Sequence, residues 1–179
     1  GNSGVGSQQN IPVKVSDSSV GDGFVNGTGI VNDLDIESSF VFICDNVAYG
    51  VGSNDYGKNG TGTATTFPVK MQTSANFTNT NVTQVATELN HSLLVENNKV
   101  FSFGNGKYGK LGIASLHYDM AVASTPSLID NAVAGFVNNG SAPVEISIGN
   151  ESSYILQNNT VYSFGRGNYY QLGDGNNSD

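Results

Sequence analysis

Glycine spacing is the first chemical signal in this sequence. Gly104-Asn105-Gly106-Lys107-Tyr108-Gly109 satisfies G-x-G-x-x-G, and with Lys110 it spells most of a phosphate-binding loop, with Leu111 where a Ser or Thr would stand. A phosphate loop works because the N–H groups and dipole of a following helix hold the anion. The same phase returns at Gly52, Gly57, Lys58 and Asn59 and again at Gly165, Tyr170, Gln171 and Leu172, each time without a helical pattern behind it. We therefore read these loops as structural turns.

Other reactive side chains are sparse. Asp33, Asp35 and Glu37 alternate on one strand face, a spacing that could pair carboxylates for acid–base work; a solvated edge strand explains them more simply. His91 and His117 are the only histidines and Cys44 the only cysteine, too far apart to suggest a zinc site. His91 is expected to bond backbone within a sheet. Cys44, inside the apolar run FVFICD with no cation nearby, reads as a buried thiol acting as a small hydrophobe. Residues 174–179 imitate the start of a calcium loop but lack its glycine and distal glutamate. No Ser, Thr or Cys sits in a nucleophile setting. We expect no catalytic residue, no cofactor and no metal.

One modification signal stands above background. There are nine N-x-[ST] sites, against about four expected from composition, and each is a potential N-glycan acceptor. Asn59 and Asn90 fall in recurring turns, whereas Asn26, Asn76, Asn81, Asn139, Asn158 and Asn176 fall in connectors and loop tips and are the glycosylation candidates.

The elements that must position these residues recur along the chain. Residues 90–112, NHSLLVENNKVFSFGNGKYGKLG, read as an apolar strand, a two- or three-residue polar turn, a second apolar strand and a glycine-punctuated loop. The same order returns at 151–173 and, more loosely, at 38–60. Ser39 to Gly52, His91 to Gly104 and Ser152 to Gly165 each span thirteen residues. A further copy survives as a tail, in which residues 1–6 align with 57–62. Measured at Gly4, Gly60, Gly112 and Gly173, the periods are 56, 52 and 61 residues. The fold must therefore be read from a tandem repeat.

Each repeat ends in a proline strand. Pro12-Val13-Lys14-Val15 and Pro68-Val69-Lys70-Met71 lie eight residues after Gly4 and Gly60, whereas Pro126 follows Gly112 by fourteen, so a loop insertion is expected within 115–125. Proline suits the first position of an edge strand. Polar connectors then lead to strand candidates at 33–36, 82–86 and 144–148, with a short helical turn tolerated only at 130–137. Four short antiparallel strands per unit is the pattern of a propeller blade, whose two faces are buried by its neighbours. The expected fold is all-β, a single propeller segment spanning 1–179 that divides into 1–15 (the tail of a repeat), 16–71, 72–129 and 130–179 (a repeat lacking its tail).

At these residues the chain resembles the regulator-of-chromosome-condensation (RCC1-like) repeat, whose pattern runs HSLxL…G-x-V-Y-x-W-G-x-N-x-x-G-Q-L-G-x-G…P. Residues 90–112 and 151–175 carry the pattern well, 38–62 moderately and 1–15 as its tail; Phe103, Phe164 or Val51 stands where the family has Trp. The resemblance implies four-stranded blades in a seven-bladed ring. It also implies that this stretch, with about three complete repeats and a partial one, is incomplete: either more repeats exist or copies associate through open blade edges.

Composition narrows the partners. Charged residues make up 12% of the chain, about half the typical 25%, and seven basic against fifteen acidic residues give a net charge of −8. That balance repels phosphate backbones and anionic membranes, and no apolar run is long enough to span a bilayer. The reading that follows is a non-enzymatic, extracellular or cell-surface glycoprotein scaffold that builds filaments or other structures through protein partners or copies of itself. The alternative, implied by the resemblance, is a cytoplasmic interaction propeller, such as the family members that act as guanine-nucleotide exchange factors on a small GTPase.

Overall fold

The structure, a computed structural model, describes residues 15, 28–119, 121–131, 135–141 and 144–177. The tail at 1–14, its proline strand and Asn26 lie outside the described residues. Among the described residues eleven strands form three antiparallel sheets: β1 (Val31–Ile36), β2 (Ser39–Cys44), β3 (Val47–Gly52) and β4 (Thr65–Lys70); β5 (Val82–Thr87), β6 (His91–Glu96), β7 (Lys99–Asn105) and β8 (Val122–Leu128); and β9 (Val144–Ile148), β10 (Ser152–Gln157) and β11 (Thr160–Gly165). Within each sheet the strands are hydrogen-bonded in chain order. The architecture is that of an open, partial set of propeller blades.

The thirteen-residue spacing is a hairpin register. Ser39 pairs with Gly52, His91 with Gly104 and Ser152 with Gly165, which is six strand residues, two turn residues and six more. The turns are Asp45-Asn46, Asn97-Asn98 and Asn158-Asn159, all with positive φ. This is the type I′ geometry that matches strand twist, and Asn and Asp tolerate it better than other side chains. The closing glycine is obligatory for two reasons. Gly104 has φ 107°, and a Cβ there would sit 2.5 Å from the Asn90 carbonyl oxygen and 2.6 Å from His91 Cα.

The proline strands start earlier than expected. Pro68 is the fourth residue of β4 and Pro126 the fifth of β8. Both lie where the register shifts, between Gly50 and Gly52 and between Ser102 and Gly104, so the missing N–H falls in a bulge of an outermost strand. No helical turn appears at residues 130–131 or 135–137; 132–134 lie outside the described residues. Among the described residues the helical elements are two single 3-10 turns, at Asp55–Gly57 and Lys107–Gly109.

The core lies between blades. Val41, Ile43 and Ala48 of the first sheet pack with Val82, Leu94, Phe101 and Phe103 of the second. Leu93, Val95 and Val100, on the opposite face of that second sheet, pack with Val144 and Ile155 of the third. Both faces of β6 are thus covered, which is why its sequence does not alternate. At roughly 1.5–3 kcal/mol per buried aliphatic or aromatic side chain, each blade depends on its neighbour for much of its stability.

Polar clips reinforce these boundaries. The Asp33 carboxylate accepts the Val85 N–H at 2.9 Å and Asp35 accepts that of Thr87 at 2.8 Å. The expectation of a solvated acidic edge therefore fails for these two; their partners lie 52 residues away on the next blade, while Glu37 is exposed. Gln84 repeats the device, donating to the Val144 carbonyl at 2.7 Å and accepting from Ile146 N at 3.2 Å.

Candidate functional site

The glycine loops following β3 and β7 lie at the two blade boundaries, the one after β11 follows the last described strand, and many of their N–H groups donate within the loops. In the second loop Gly106 N donates to the Ala121 carbonyl, Lys107 N to Asn105 Oδ1, Gly109 N to the Gly106 carbonyl and Gly112 N to the Gly109 carbonyl. These bonds occupy the N–H groups of Gly106, Lys107, Gly109 and Gly112, and Lys110 is only 2% exposed. The structural-turn reading accounts for this geometry.

The turns are clipped to the following blade by serine. Ser92 Oγ donates to the Lys58 carbonyl at 2.8 Å and Ser153 Oγ to the Lys110 carbonyl at 2.9 Å. His91 does not bond backbone as expected; its Nε2 lies 3.0 Å from Ser153 Oγ, across the boundary. Because Ser153 spends its one proton on Lys110, the imidazole must donate from Nε2, which leaves Nδ1 as an unpaired buried acceptor. Burial, with the nearby Lys110 charge, lowers the His91 pKa to about 3, so the ring is neutral. Burial likewise lowers the pKa of Lys110, with Glu151 opposing. In the preceding turn, Lys58 Nζ donates to the Leu89 carbonyl at 2.9 Å and to Ser38 Oγ.

What these turns present outward is aromatic and cationic. Tyr56, Tyr169 and Tyr170 are 49%, 79% and 64% exposed. Lys107 Nζ and Arg166 Cζ lie over the Tyr108 ring, 4.7 and 4.6 Å from its centre, and Arg166 pairs with Glu151 at 2.8 Å. The two cations fix the ring by attraction to its π face. Of the four basic residues in these loops, Lys107 and Arg166 are half-buried beside Tyr108, whereas Lys58 and Lys110 are each 2% exposed. Such an arrangement can anchor a protein surface.

The remaining sequence-derived sites fall as follows. Asn76, Asn81, Asn139, Asn158 and Asn176 are all exposed, whereas Asn59 is buried and bonds Thr61 and Thr63. The carboxylate of Asp174 accepts the Asn176 N–H at 2.9 Å, which lowers its pKa and closes a local turn instead of a calcium loop. Cys44 is buried, and desolvation raises its pKa, with Asp45 adding to the effect. Among the described residues no cluster of metal-ligating side chains forms, and no helix is long and apolar enough to cross a membrane.

Sequence reasoning missed two buried clamps. Asn79 accepts from Ala48 N and donates to the carbonyls of Ala48 and Met71. Asn138 does the same with Val100 and Ile129. Each follows a buried phenylalanine by two residues, Phe77 and Phe136, so a repeated F-x-N within the polar connectors was the available signal.

No family model matches the chain. Among solved structures it is similar to human WBSCR16, with a TM-score of 0.64 and 22% identity over 80% of this chain and 35% of that one. It is similar to yeast RCC1 (Prp20) bound to Kap60, with a TM-score of 0.64 and 19% identity over 83% of this chain and 32% of that one. It is also similar to Prp20p from Saccharomyces cerevisiae, described together with its binding to Gsp1p and histones, with a TM-score of 0.62 and 20% identity over 81% and 35%. The chain thus spans about a third of the length of these structures. The likeness shows an RCC1-like repeat fold.

Proposed function

We propose that this RCC1-like segment belongs to a protein-interaction propeller without catalytic chemistry of its own, whose tyrosine-bearing turns meet a protein partner. The observation that carries the reading is the exposure of Tyr56, Tyr169 and Tyr170 on these turns, together with the Lys107 and Arg166 cations over the Tyr108 ring. Large aromatics and arginine are the residues that dominate binding energy at protein interfaces. The partners named for similar structures, Kap60, Gsp1p and histones, are all proteins, and they support the same class of activity here. This reading goes with a cytoplasmic chain. Exchange on a small GTPase, the finer form implied by the family resemblance, would be one case of it.

The test is biolayer interferometry of the immobilised chain against Gsp1p, Kap60 and core histones, run in parallel with a Tyr169→Ala/Tyr170→Ala variant. Binding to one of them that the variant weakens at least tenfold supports the reading. Binding to none, or equal binding by the variant, removes this surface as its basis.

A second reading keeps the chain extracellular, as a glycosylated, filament-forming scaffold. It is favoured by the exposure of Asn76, Asn81, Asn139, Asn158 and Asn176. Intact-mass measurement before and after N-glycosidase treatment of natively expressed protein tests it; an unchanged mass ends it.

A further inference from the structure

Four Asn-Gly steps occur in the sequence, at Asn26, Asn59, Asn105 and Asn139; the first lies outside the described residues. Such a step is open to self-modification, because a glycine without a Cβ leaves its N–H unshielded from the preceding side-chain amide. The three described copies share one local geometry. Asn59 Oδ1 accepts from Thr61 N at 2.9 Å, Asn105 Oδ1 from Lys107 N at 2.8 Å and Asn139 Oδ1 from Ser141 N at 2.9 Å. In each, the bond folds the amide over the glycine peptide and favours negative charge on Oδ1, where a tetrahedral adduct carries it. What differs is the attacking nitrogen. Gly60 N donates to the Gly57 carbonyl at 3.0 Å and Gly106 N to the Ala121 carbonyl at 2.8 Å, and Asn59 and Asn105 are 0% and 8% exposed. Asn59 Nδ2 is tied as well, to the Thr63 carbonyl at 3.0 Å. Gly140 N has no hydrogen-bond partner among the described residues, and Asn139 is exposed.

We propose that Asn139 is a self-deamidating site whose conversion to isoaspartate loosens the connector between the second and third blades. Gly140 N gives its proton to solvent base and bonds to Asn139 Cγ; the Cγ–Nδ2 bond breaks and ammonia leaves, closing a succinimide. Water then opens the ring at either carbonyl. Breaking the new bond to Cγ gives aspartate in a normal backbone. Breaking the bond to the Asn139 main-chain carbonyl gives isoaspartate, whose backbone runs through an added methylene. Either product removes the acceptor amide of Asn139-Gly140-Ser141, so deamidation and glycosylation exclude each other at this residue. The added methylene acts on the fold because both its neighbours are held. Asn138 is the buried clamp on Val100 and Ile129. Gly140 packs so closely on the Asn97-Asn98 turn that a Cβ there would sit 2.7 Å from the Asn97 carbonyl oxygen. A longer backbone between these two points displaces one of them. The inference is independent of the tyrosine surface.

The experiment ages the unglycosylated full chain in mildly alkaline buffer, once folded and once in guanidinium chloride. Peptide mapping by mass spectrometry follows each Asn-Gly step, and an isoaspartate methyltransferase assay counts isoaspartate. In the folded chain Asn139 is expected to convert at least tenfold faster than Asn59 or Asn105, with isoaspartate among the products. In guanidinium the three rates should converge, because Gly60 N and Gly106 N are no longer tied. Aged wild type should then unfold at a lower urea concentration than fresh wild type, while an Asn139→Gln variant aged alongside it keeps its midpoint. An Asn139 rate in the folded chain no higher than that of Asn105 overturns the proposal. So does an Asn139 advantage that persists undiminished in guanidinium, since the fold would then play no part. Equal midpoints for fresh and extensively converted wild type overturn the effect on the connector.

Discussion

Replacing Asn79 by alanine tests how the connectors are held to the blades. The side chain is buried and makes three hydrogen bonds, to Ala48 N at 2.7 Å, the Ala48 carbonyl at 3.0 Å and the Met71 carbonyl at 3.1 Å. The Ala48 carbonyl keeps a second partner, Met71 N at 3.0 Å. Two groups are therefore left alone, the Ala48 N–H and the Met71 carbonyl, in residues 0% and 2% exposed. At about 1–3 kcal/mol for each buried unsatisfied group, and with water entering the vacated space to offset part of it, the expected loss is about 2–4 kcal/mol. That is a large share of the roughly 5–15 kcal/mol that holds a domain folded. Asn81→Ala is the control, since its exposed amide makes one bond, to Asn97 Oδ1, and its removal should cost no more than about 0.5 kcal/mol. Urea unfolding followed by circular dichroism reads both. A loss below about 1 kcal/mol for Asn79→Ala, or equal losses for the two variants, would refute the clamp.

Three further outcomes are expected. His91 is neutral when folded, with a pKa near 3 against 6.5 unfolded, so the unfolded chain binds the extra proton between those values and stability falls as pH drops through that window. Between pH 7 and pH 4 wild type should therefore lose roughly 2–3 kcal/mol more than His91→Asn, and parallel urea midpoints at each pH would contradict this. Gly104→Ala, with a Cβ forced against Asn90 and His91, should cost about 3 kcal/mol or more, whereas Gly173→Ala, which meets nothing within 4 Å, should cost only about 1 kcal/mol for its positive φ; thermal melts separate the two. Asp33→Ala should speed hydrogen exchange at the Val85 amide at least tenfold while Asp33→Asn largely preserves protection, and equal rates in all three proteins would remove the clip.

Hairpins were the most legible part of this chain, because a thirteen-residue spacing with Asn or Asp at the turn and Gly at its close leaves one register open. The proline strands were legible as edges but not in their extent. Their bulges depend on how β3 and β7 approach Thr65 and Ala123, and no local pattern states that. The acidic alternation at Asp33 and Asp35 misled for a similar reason. Locally it has the look of a wet edge, and only the arrival of β5, 52 residues later, supplies the N–H donors. His91 was recognised as structural, but its partner Ser153 belongs to the next repeat, so the bond becomes visible only once two repeats are stacked. The exposed tyrosines carry no signal in sequence at all, since turn aromatics of the same phase could equally have been buried.

The three hairpins stack as successive blades, the first covered by the second and the second by the third. A double-mutant cycle on His91→Ala and Ser153→Ala tests it most directly, because these residues lie 62 positions apart and meet only if the second and third blades pack face to face. The expected coupling is about 0.5–1.5 kcal/mol in unfolding free energy; losses that add to within about 0.3 kcal/mol would mean that the two blades do not meet there.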